Sequence, residues 1–333
     1  MVQEIQMIKY YELRDGVLTL VKNPQDVSGL TWCDVHLDKS RASPNDELKL
    51  VSTMFKINIH DLKDTTDLTE RPRYNYDMLL ENQFMLLRGI MSDQLDLSAE
   101  VENPTIPIGI FYTIDEKIVT VHSIDSPEFT NIIETLDKRK ITKPIFLFLE
   151  FIQIIFNRLD KASYNISLKI NEIQKHIGSS RDARKRGIPF KLNSYMIFFN
   201  AAMMGNYNAF QAFMDKNKST FEADAALYEK VDDLKIDIKQ IYQFTSIYRD
   251  QVNNLVEQAN NIINNNLNNI FKVVGSISLL VSIPTLIASF YGMNVGLPGG
   301  IEDGKFISFY IIIGISFTVS FVTWLFFRKL DWL

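Results

Sequence analysis

Residues 282–300, SIPTLIASFYGMNVGLPGG, decide how this chain is read. They close an apolar run and pass through Tyr291-Gly292-Met293-Asn294 into a glycine-rich loop. Around them, the nineteen residues from Val273 to Tyr291 carry no charge, and neither do the twenty-two from Phe306 to Phe327. A bilayer core takes ~20 apolar residues of helix, so both runs are candidate membrane-spanning helices. The second, FISFYIIIGISFTVSFVTWLFF, is almost wholly aliphatic and aromatic, as a lipid-facing helix is.

The first run differs. Stepping back from Ser289 by alternating four and three residues gives Thr285, Ser282, Ser278, Gly275, Phe271 and Asn268, all on one helical face. Five of those seven side chains are hydroxyls or amides, and hydrocarbon offers them no hydrogen-bond partner, so the stripe must face protein or water. Two readings stay open: a packing face of small and hydroxyl residues, and one wall of a water-filled path. The same alternation continues below the apolar run through Asn264, Asn261, Glu257 and Asn254. Asparagine is a poor helix former, and its carbonyl and amide suit ordered water or a hydrated cation. A loosely specified coiled-coil seam is the alternative there.

The tripeptide Gly292-Met293-Asn294, placed between two C-terminal apolar helices after a long helical prelude, resembles the signature of the CorA family of divalent-cation channels. Pro284-Thr285, the Ile287-Ala288-Ser289-Phe290 approach and the Asn-rich NNIINNNLNNIFK segment support the resemblance, which is detailed over about residues 240–333. It implies a homopentamer with Gly292, Met293 and Asn294 as a selectivity filter at the outer mouth, and a soluble domain that binds divalent cations and holds the pore shut. The family commonly continues this tripeptide with a Met-Pro-Glu-Leu pattern. Here the loop reads VGLPGG, with Glu302 and Asp303 the nearest acids, which leans toward the family's zinc transporters.

The filter chemistry is intelligible from the residues. Mg²⁺ demands six oxygen ligands and loses water reluctantly, so a pore gains by leaving the hydration shell in place. A ring of Asn294 amide oxygens would accept hydrogen bonds from water that the cation polarises into strong donors. Gly292 is expected to allow a tight turn and Met293 to pack beneath the ring. At the inner end, Leu267, Phe271 and Val274 offer apolar bulk that can close a pore by dewetting, with packing of Phe271 against the second helix as the alternative. Zinc prefers nitrogen and sulfur ligands, which the stripe lacks, and that favours Mg²⁺ as the ion carried; the resemblance implies that Mg²⁺ is also the regulatory ion, held between subunits.

The remaining sequence bounds the rest. The start, MVQEIQMIKYYELRDG, has no apolar core, so a cleaved signal peptide is not expected. Lys272 precedes the first apolar run and Arg328 and Lys329 follow the second, which by the positive-inside rule puts both termini in the cytoplasm of a cell-membrane protein. The single Cys33 excludes an internal disulfide. Net charge is −5, and the one basic run, RDARKRG at 181–187, reads as a solvated turn, so nucleic acid is not an expected partner. No phosphate loop, HExxH or Cys-x-x-Cys motif is present, which argues against an enzyme or an energy-coupled pump. His36, His60, His122 and His176 look scattered and structural.

In chain order, residues 1–140 read as a cytoplasmic α/β (α+β) domain, with strands near 17–21, 30–37, 84–87, 106–113 and 117–122. Pro44 to Glu47 opens a helix, a second covers 58–66, and Arg71-Pro72 resembles the family's pair before a hairpin strand. A short helix is expected over 126–136. Residues 141–220 read as a helical hairpin region, with helices over 145–177 and 192–214. A stalk helix over 221–272 runs into the first membrane helix, 273–293; the loop 294–305, the second helix 306–327 and a basic tail 328–333 follow. The acidic pair Asp232-Asp233 falls near the stalk acid that the resemblance assigns to metal sensing, and is otherwise a solvated face. Three functions remain in view: a Mg²⁺ channel, a Zn²⁺, Co²⁺ or Ni²⁺ transporter with or without proton coupling, and a non-conducting membrane-anchored sensor or scaffold.

Overall fold

The computed structural model describes residues 8–14, 17–21, 30–36, 44–92, 95, 97, 103–122, 143–177, 187–293 and 307–332. The chain divides into two compact units, residues 1–256 and 257–333. The expected helix over 126–136 and most of the basic run lie outside the described residues.

In the first unit seven strands form one sheet: β1 Ile8–Arg14, β2 Val17–Val21, β3 Trp32–His36, β4 Arg73–Asp77, β5 Asn82–Ile90, β6 Thr105–Tyr112 and β7 Ile118–His122, in the order β2-β1-β3-β7-β6-β5-β4. Among these strands β3 and β7 pair in parallel and the other neighbours are antiparallel. The central strands are apolar on both faces because both are covered. Phe84 and Leu86 of β5 join a core with α1 (Pro44–Phe55) and α2 (Ile59–Asp64), while Met85 and Leu87 join the opposite core with α3 (Pro144–His176) and α4 (Ile188–Lys216). The result is a mixed sheet between helical layers, the α+β class that the sequence predicts.

Local chemistry sets the helix starts. The Asn58 side chain accepts from the His60 amide at 2.9 Å and opens α2. Pro144 and Pro189 occupy the first turns of α3 and α4, where a missing N–H costs nothing, and Pro189 lets α4 begin four residues before the expected Leu192. A short α5, Lys218–Glu222, follows the turn at Asn217. The long helix α6, Ala225–Tyr291, then starts after the expected Phe221, because the Asp224 carboxylate accepts from the amides of Ala226 (3.1 Å) and Leu227 (3.3 Å). Lys143 Nζ donates to the same carboxyl at 2.6 Å and, with those amides, holds its pKa below the usual range.

Within the first unit, α6 buries Leu227, Val231, Leu234, Ile238, Ile241, Thr245, Val252 and Leu255. Their repeat of four and three residues is a coiled-coil-like seam, and Thr245 satisfies its hydroxyl on the Ile241 carbonyl at 2.9 Å. Pro72, of the Arg71-Pro72 pair ahead of β4, packs on α4: a Cβ added at Gly205 would meet its ring at 2.7–3.1 Å. That ring cannot rotate away, so Gly205→Val is expected to destabilise by ~1–3 kcal/mol despite the better helix propensity of valine over glycine. A lowered thermal midpoint checks this, and an unchanged one would mean that Pro72 moves freely.

In the second unit α6 continues to Tyr291, and α7 spans Ile307–Lys329; both are long and apolar enough to cross a membrane by length and composition. Helix α7 ends in a Schellman turn. The Trp332 amide donates to the Phe327 carbonyl (3.0 Å) and the Asp331 amide to the Arg328 carbonyl (3.2 Å), with Asp331 at φ 55°. Glycine usually fills that left-handed position, and aspartate is among the few other residues that tolerate it. The accompanying apolar contact is the Trp332 ring stacked on Phe327 at 5.6 Å.

Candidate functional site

The stripe read from the sequence lies on α6. In one chain Asn268, Phe271, Gly275, Ser278, Ser282, Thr285 and Ser289 are all exposed, and so are Leu267 and Val274. A Cβ at Gly275 would touch nothing within 4 Å. The covered residues of this stretch are Ser276, wholly buried, with Leu280, Ile283, Pro284 and Ile287 half-buried. Pro284 apart, their spacing of four, three and four makes a second line, set roughly 150° around the helix from the polar one at ~100° per residue. The polar stripe is therefore not the face that the helix uses for packing within its own chain. In the sequence Ser276 is one residue of the uncharged run among many. Its place on the covered line emerges from the same alternation begun seven residues before Ile283.

The stripe hydroxyls are oriented by the helix itself. Ser282 Oγ donates to the Ser278 carbonyl at 2.7 Å and Thr285 Oγ1 to the Val281 carbonyl at 3.0 Å. With its proton used internally, each hydroxyl keeps its lone pairs as acceptors, which suits the outward-pointing hydrogens of a hydrated cation. Pro284 lacks an N–H, so the Leu280 carbonyl has no main-chain donor one turn on.

At its outer end α6 stops at Tyr291. The Gly292 amide still donates to the Ala288 carbonyl at 3.0 Å and Met293 to that of Phe290 at 3.4 Å. Gly292 does not enter the left-handed region, and a Cβ there would lie 3.4 Å from the Ala288 carbonyl oxygen. The helix gives way to a turn at Gly292 and a bend at Met293, reached without a left-handed glycine conformation. Asn294, the VGLPGG loop, Glu302 and Asp303 lie outside the described residues.

At the inner end, Asn268 and Phe271 border a cavity of about 660 Å³ together with Asn265, Asn269, Lys272 and Trp332. The stalk acids separate. Asp232 lines a cavity of about 230 Å³ beside Lys218 and Lys235, while Asp233 lines another, of about 290 Å³, beside Lys230 and Asp237. Lys230 donates to Glu150 Oε1 at 2.7 Å and to Gln153. Across the same pair of helices, burial and then the charge of Asp237 raise the pKa of Asp160. Among the described residues no group of three or more His, Cys, Asp or Glu is placed to hold a metal.

The histidines are less scattered than the sequence suggests. His36 and His122 come into register on the parallel strands β3 and β7, their rings stacked at 5.1 Å, with His122 Nε2 3.3 Å from Asp34 Oδ1. Thr120 donates to the same carboxylate at 2.6 Å and accepts from Trp32 Nε1 at 2.9 Å. Strand register alone brings this buried polar row together.

Comparison with known proteins agrees with this architecture. The family model of the CorA-like Mg²⁺ transporter protein matches residues 28–329. The chain is 19% identical over 311 residues to the cobalt/magnesium transport protein CorA of Methanocaldococcus jannaschii, covering 91% of this chain and 92% of that one. Among solved structures it is similar to the complete CorA magnesium transporter of the same organism, with a TM-score of 0.73 at 17% identity over the whole of both chains. It is also similar to the full-length CmaX protein, with a TM-score of 0.68 at 17% identity, covering 99% of this chain and 100% of that one. The cytoplasmic domain of ZntB from Vibrio parahaemolyticus matches with a TM-score of 0.58 at 13% identity, over 77% of this chain and 98% of that one. A match running from ahead of β3 through both apolar helices decides the assignment: the chain belongs to the family of CorA-like Mg²⁺ transporter proteins.

Proposed function

We propose that this protein is the subunit of a homo-oligomeric channel, a pentamer by its resemblance, that admits hydrated Mg²⁺ down its electrochemical gradient. The observation that carries the proposal is the polar stripe of α6, exposed in one chain and set away from the covered line. Around a shared axis, such stripes would line a path with hydroxyl and amide acceptors and no fixed charge, which passes a hydrated divalent ion without trapping it. Gly292, Met293 and Asn294 form the outer filter in this reading, and Leu267, Phe271 and Val274 the inner constriction. Both termini lie in the cytoplasm of a cell-membrane protein, on the strength of Lys272, Arg328 and Lys329 at the inner ends of the helices.

Mg²⁺ is also the proposed regulator. Asp232 and Asp233 would act with carboxylates of a neighbouring subunit, as the resemblance implies. Inward current through a planar bilayer holding the purified protein, with Mg²⁺ as the sole permeant cation, tests the channel reading. A silent bilayer would favour a scaffold. The VGLPGG loop keeps Zn²⁺ as the second reading of the ion.

The exposed Phe271 ring bears on gating. Phe271→Ala removes the largest of the three apolar side chains at the inner end, and ~2 kcal/mol of burial per ring is available to close it. Mg²⁺ flux at high internal Mg²⁺ is therefore expected to rise on the order of tenfold. Patch-clamp current at fixed internal Mg²⁺ measures this, and an unchanged closed state would move the constriction elsewhere.

A further inference from the structure

Of the residues around the cavity at the inner end of the second unit, Asn268 and Phe271 belong to the stripe, but Asn265, Asn269, Lys272 and Trp332 do not, and ion conduction does not use them. Three amides, of Asn265, Asn268 and Asn269, share the cavity with the Lys272 ammonium, the Phe271 ring and the Trp332 indole. It opens where the covered line of α6 changes character: seven residues before Ser276 that line reaches Asn269. Its far wall is fixed, because the Schellman turn folds the chain back and Trp332 stacks on Phe327. Arg328 and Lys329 end the same helix, with the Arg328 guanidinium over the Trp324 ring at 5.4 Å, and exposed Asp331 sits in the turn. Three cations thus stand against one carboxylate among the described residues around this end of the unit.

Lys272 is the last charge before the nineteen uncharged residues of α6, and Trp332 follows α7 by three residues. Both therefore fall at the membrane–water boundary, where indoles and ammoniums of proteins settle and where anionic headgroups concentrate. The Lys272 ammonium and the Asn265 and Asn269 amides, which line one concave surface outside the stripe, match a phosphate oxyanion, which accepts charge-assisted hydrogen bonds. We propose that this cavity binds the phosphate of an anionic lipid headgroup on the cytoplasmic leaflet. The same donors would take free phosphate, so the two sources must be separated by experiment. The proposal rests on both apolar helices crossing the bilayer with their charged ends in the cytoplasm, and is independent of the ion carried.

The test is native mass spectrometry of the full-length assembly in detergent, titrated with phosphatidylglycerol or with phosphatidylcholine. Phosphatidylglycerol is expected to bind about tenfold more tightly, and Lys272→Gln to erase that preference, since one charge-assisted contact accounts for a factor of that order. Asn269→Ala is expected to weaken phosphatidylglycerol severalfold, as removal of one neutral hydrogen bond does. Lys272 is exposed, so its variant keeps the assembly mass that the same spectra report. Displacement of the lipid by millimolar inorganic phosphate, abolished in Lys272→Gln, would support the phosphate chemistry with a soluble source. Equal binding of the two lipids, or a preference unchanged by Lys272→Gln, overturns the proposal.

Discussion

Asn294→Ala is expected to cut Mg²⁺ flux at least tenfold, or to abolish discrimination against monovalent cations, while the mass of the assembly stays unchanged. Acceptors set the size of the effect. A hydrated Mg²⁺ presents strongly polarised water hydrogens, and each amide oxygen that meets one is worth ~1.5–3 kcal/mol as a hydrogen bond to a charged group. Alanine removes the oxygen from every subunit at once, so the removal of even one net hydrogen bond at the filter exceeds the ~1.4 kcal/mol that corresponds to a factor of ten. Aspartate at the same position keeps the acceptors and adds charge, so Asn294→Asp is expected to bind the ion more tightly and pass it more slowly. Mag-fura uptake into proteoliposomes, set beside the assembly mass, measures both. Unchanged flux and selectivity in Asn294→Ala would remove the filter from this tripeptide.

The second large effect concerns stability. Arg88 of β5 is 5% exposed, and among the described residues no carboxylate receives its guanidinium directly. Its Nε donates to Thr105 Oγ1 at 2.7 Å, Nη1 to the Glu70 carbonyl at 2.7 Å, and Nη2 to the carbonyls of Leu68 (2.9 Å) and Thr105 (2.5 Å). Burial lowers its pKa, opposed by the charge of Asp67. The Arg88 main chain is clamped as well: its amide donates to Asn206 Oδ1 and its carbonyl accepts from Asn206 Nδ2, both at 2.8 Å. One residue thus ties the segment before β4, the start of β6 and α4 to the middle of the sheet. Arg88→Leu orphans several buried acceptors at ~1–3 kcal/mol each, for an expected loss on the order of 3–5 kcal/mol. Arg88→Lys should fall between, since a single ammonium cannot fork to both loops. Thermal unfolding of the full chain in detergent checks this, and a loss under ~1 kcal/mol would mean that water replaces the guanidinium.

Much of this architecture is legible in the sequence because the periodicities are long. Nineteen and twenty-two uncharged residues leave little choice of element, and β2, β6 and β7 announce themselves as short β-branched and aromatic runs. Strand β1 is hidden, because its exposed positions carry Lys9 and Arg14 and its sequence reads as a charged N-terminus. The start of α6 depends on a side chain: nothing in the apolar spacing distinguishes Phe221 from Ala225, but the Asp224 cap does. The His36–His122 row needs the parallel register of two strands far apart in sequence. The turn after α7 is masked because aspartate, rather than glycine, occupies its left-handed position. Of the candidate site, the polar stripe is readable in full from one alternation. The covered line opposite it is present in the same alternation but carries a serine, so it does not stand out as a packing face.

In the proposed channel the stripe and the tripeptide pass hydrated Mg²⁺ passively. The most direct test loads proteoliposomes of the purified protein with an indicator dye and offers Mg²⁺ and Zn²⁺ separately, each with and without a pH gradient. Mg²⁺ entry is expected to follow membrane potential and to ignore the pH gradient. Entry of Zn²⁺ alone, or Mg²⁺ entry that requires the proton gradient, would contradict passive Mg²⁺ conduction.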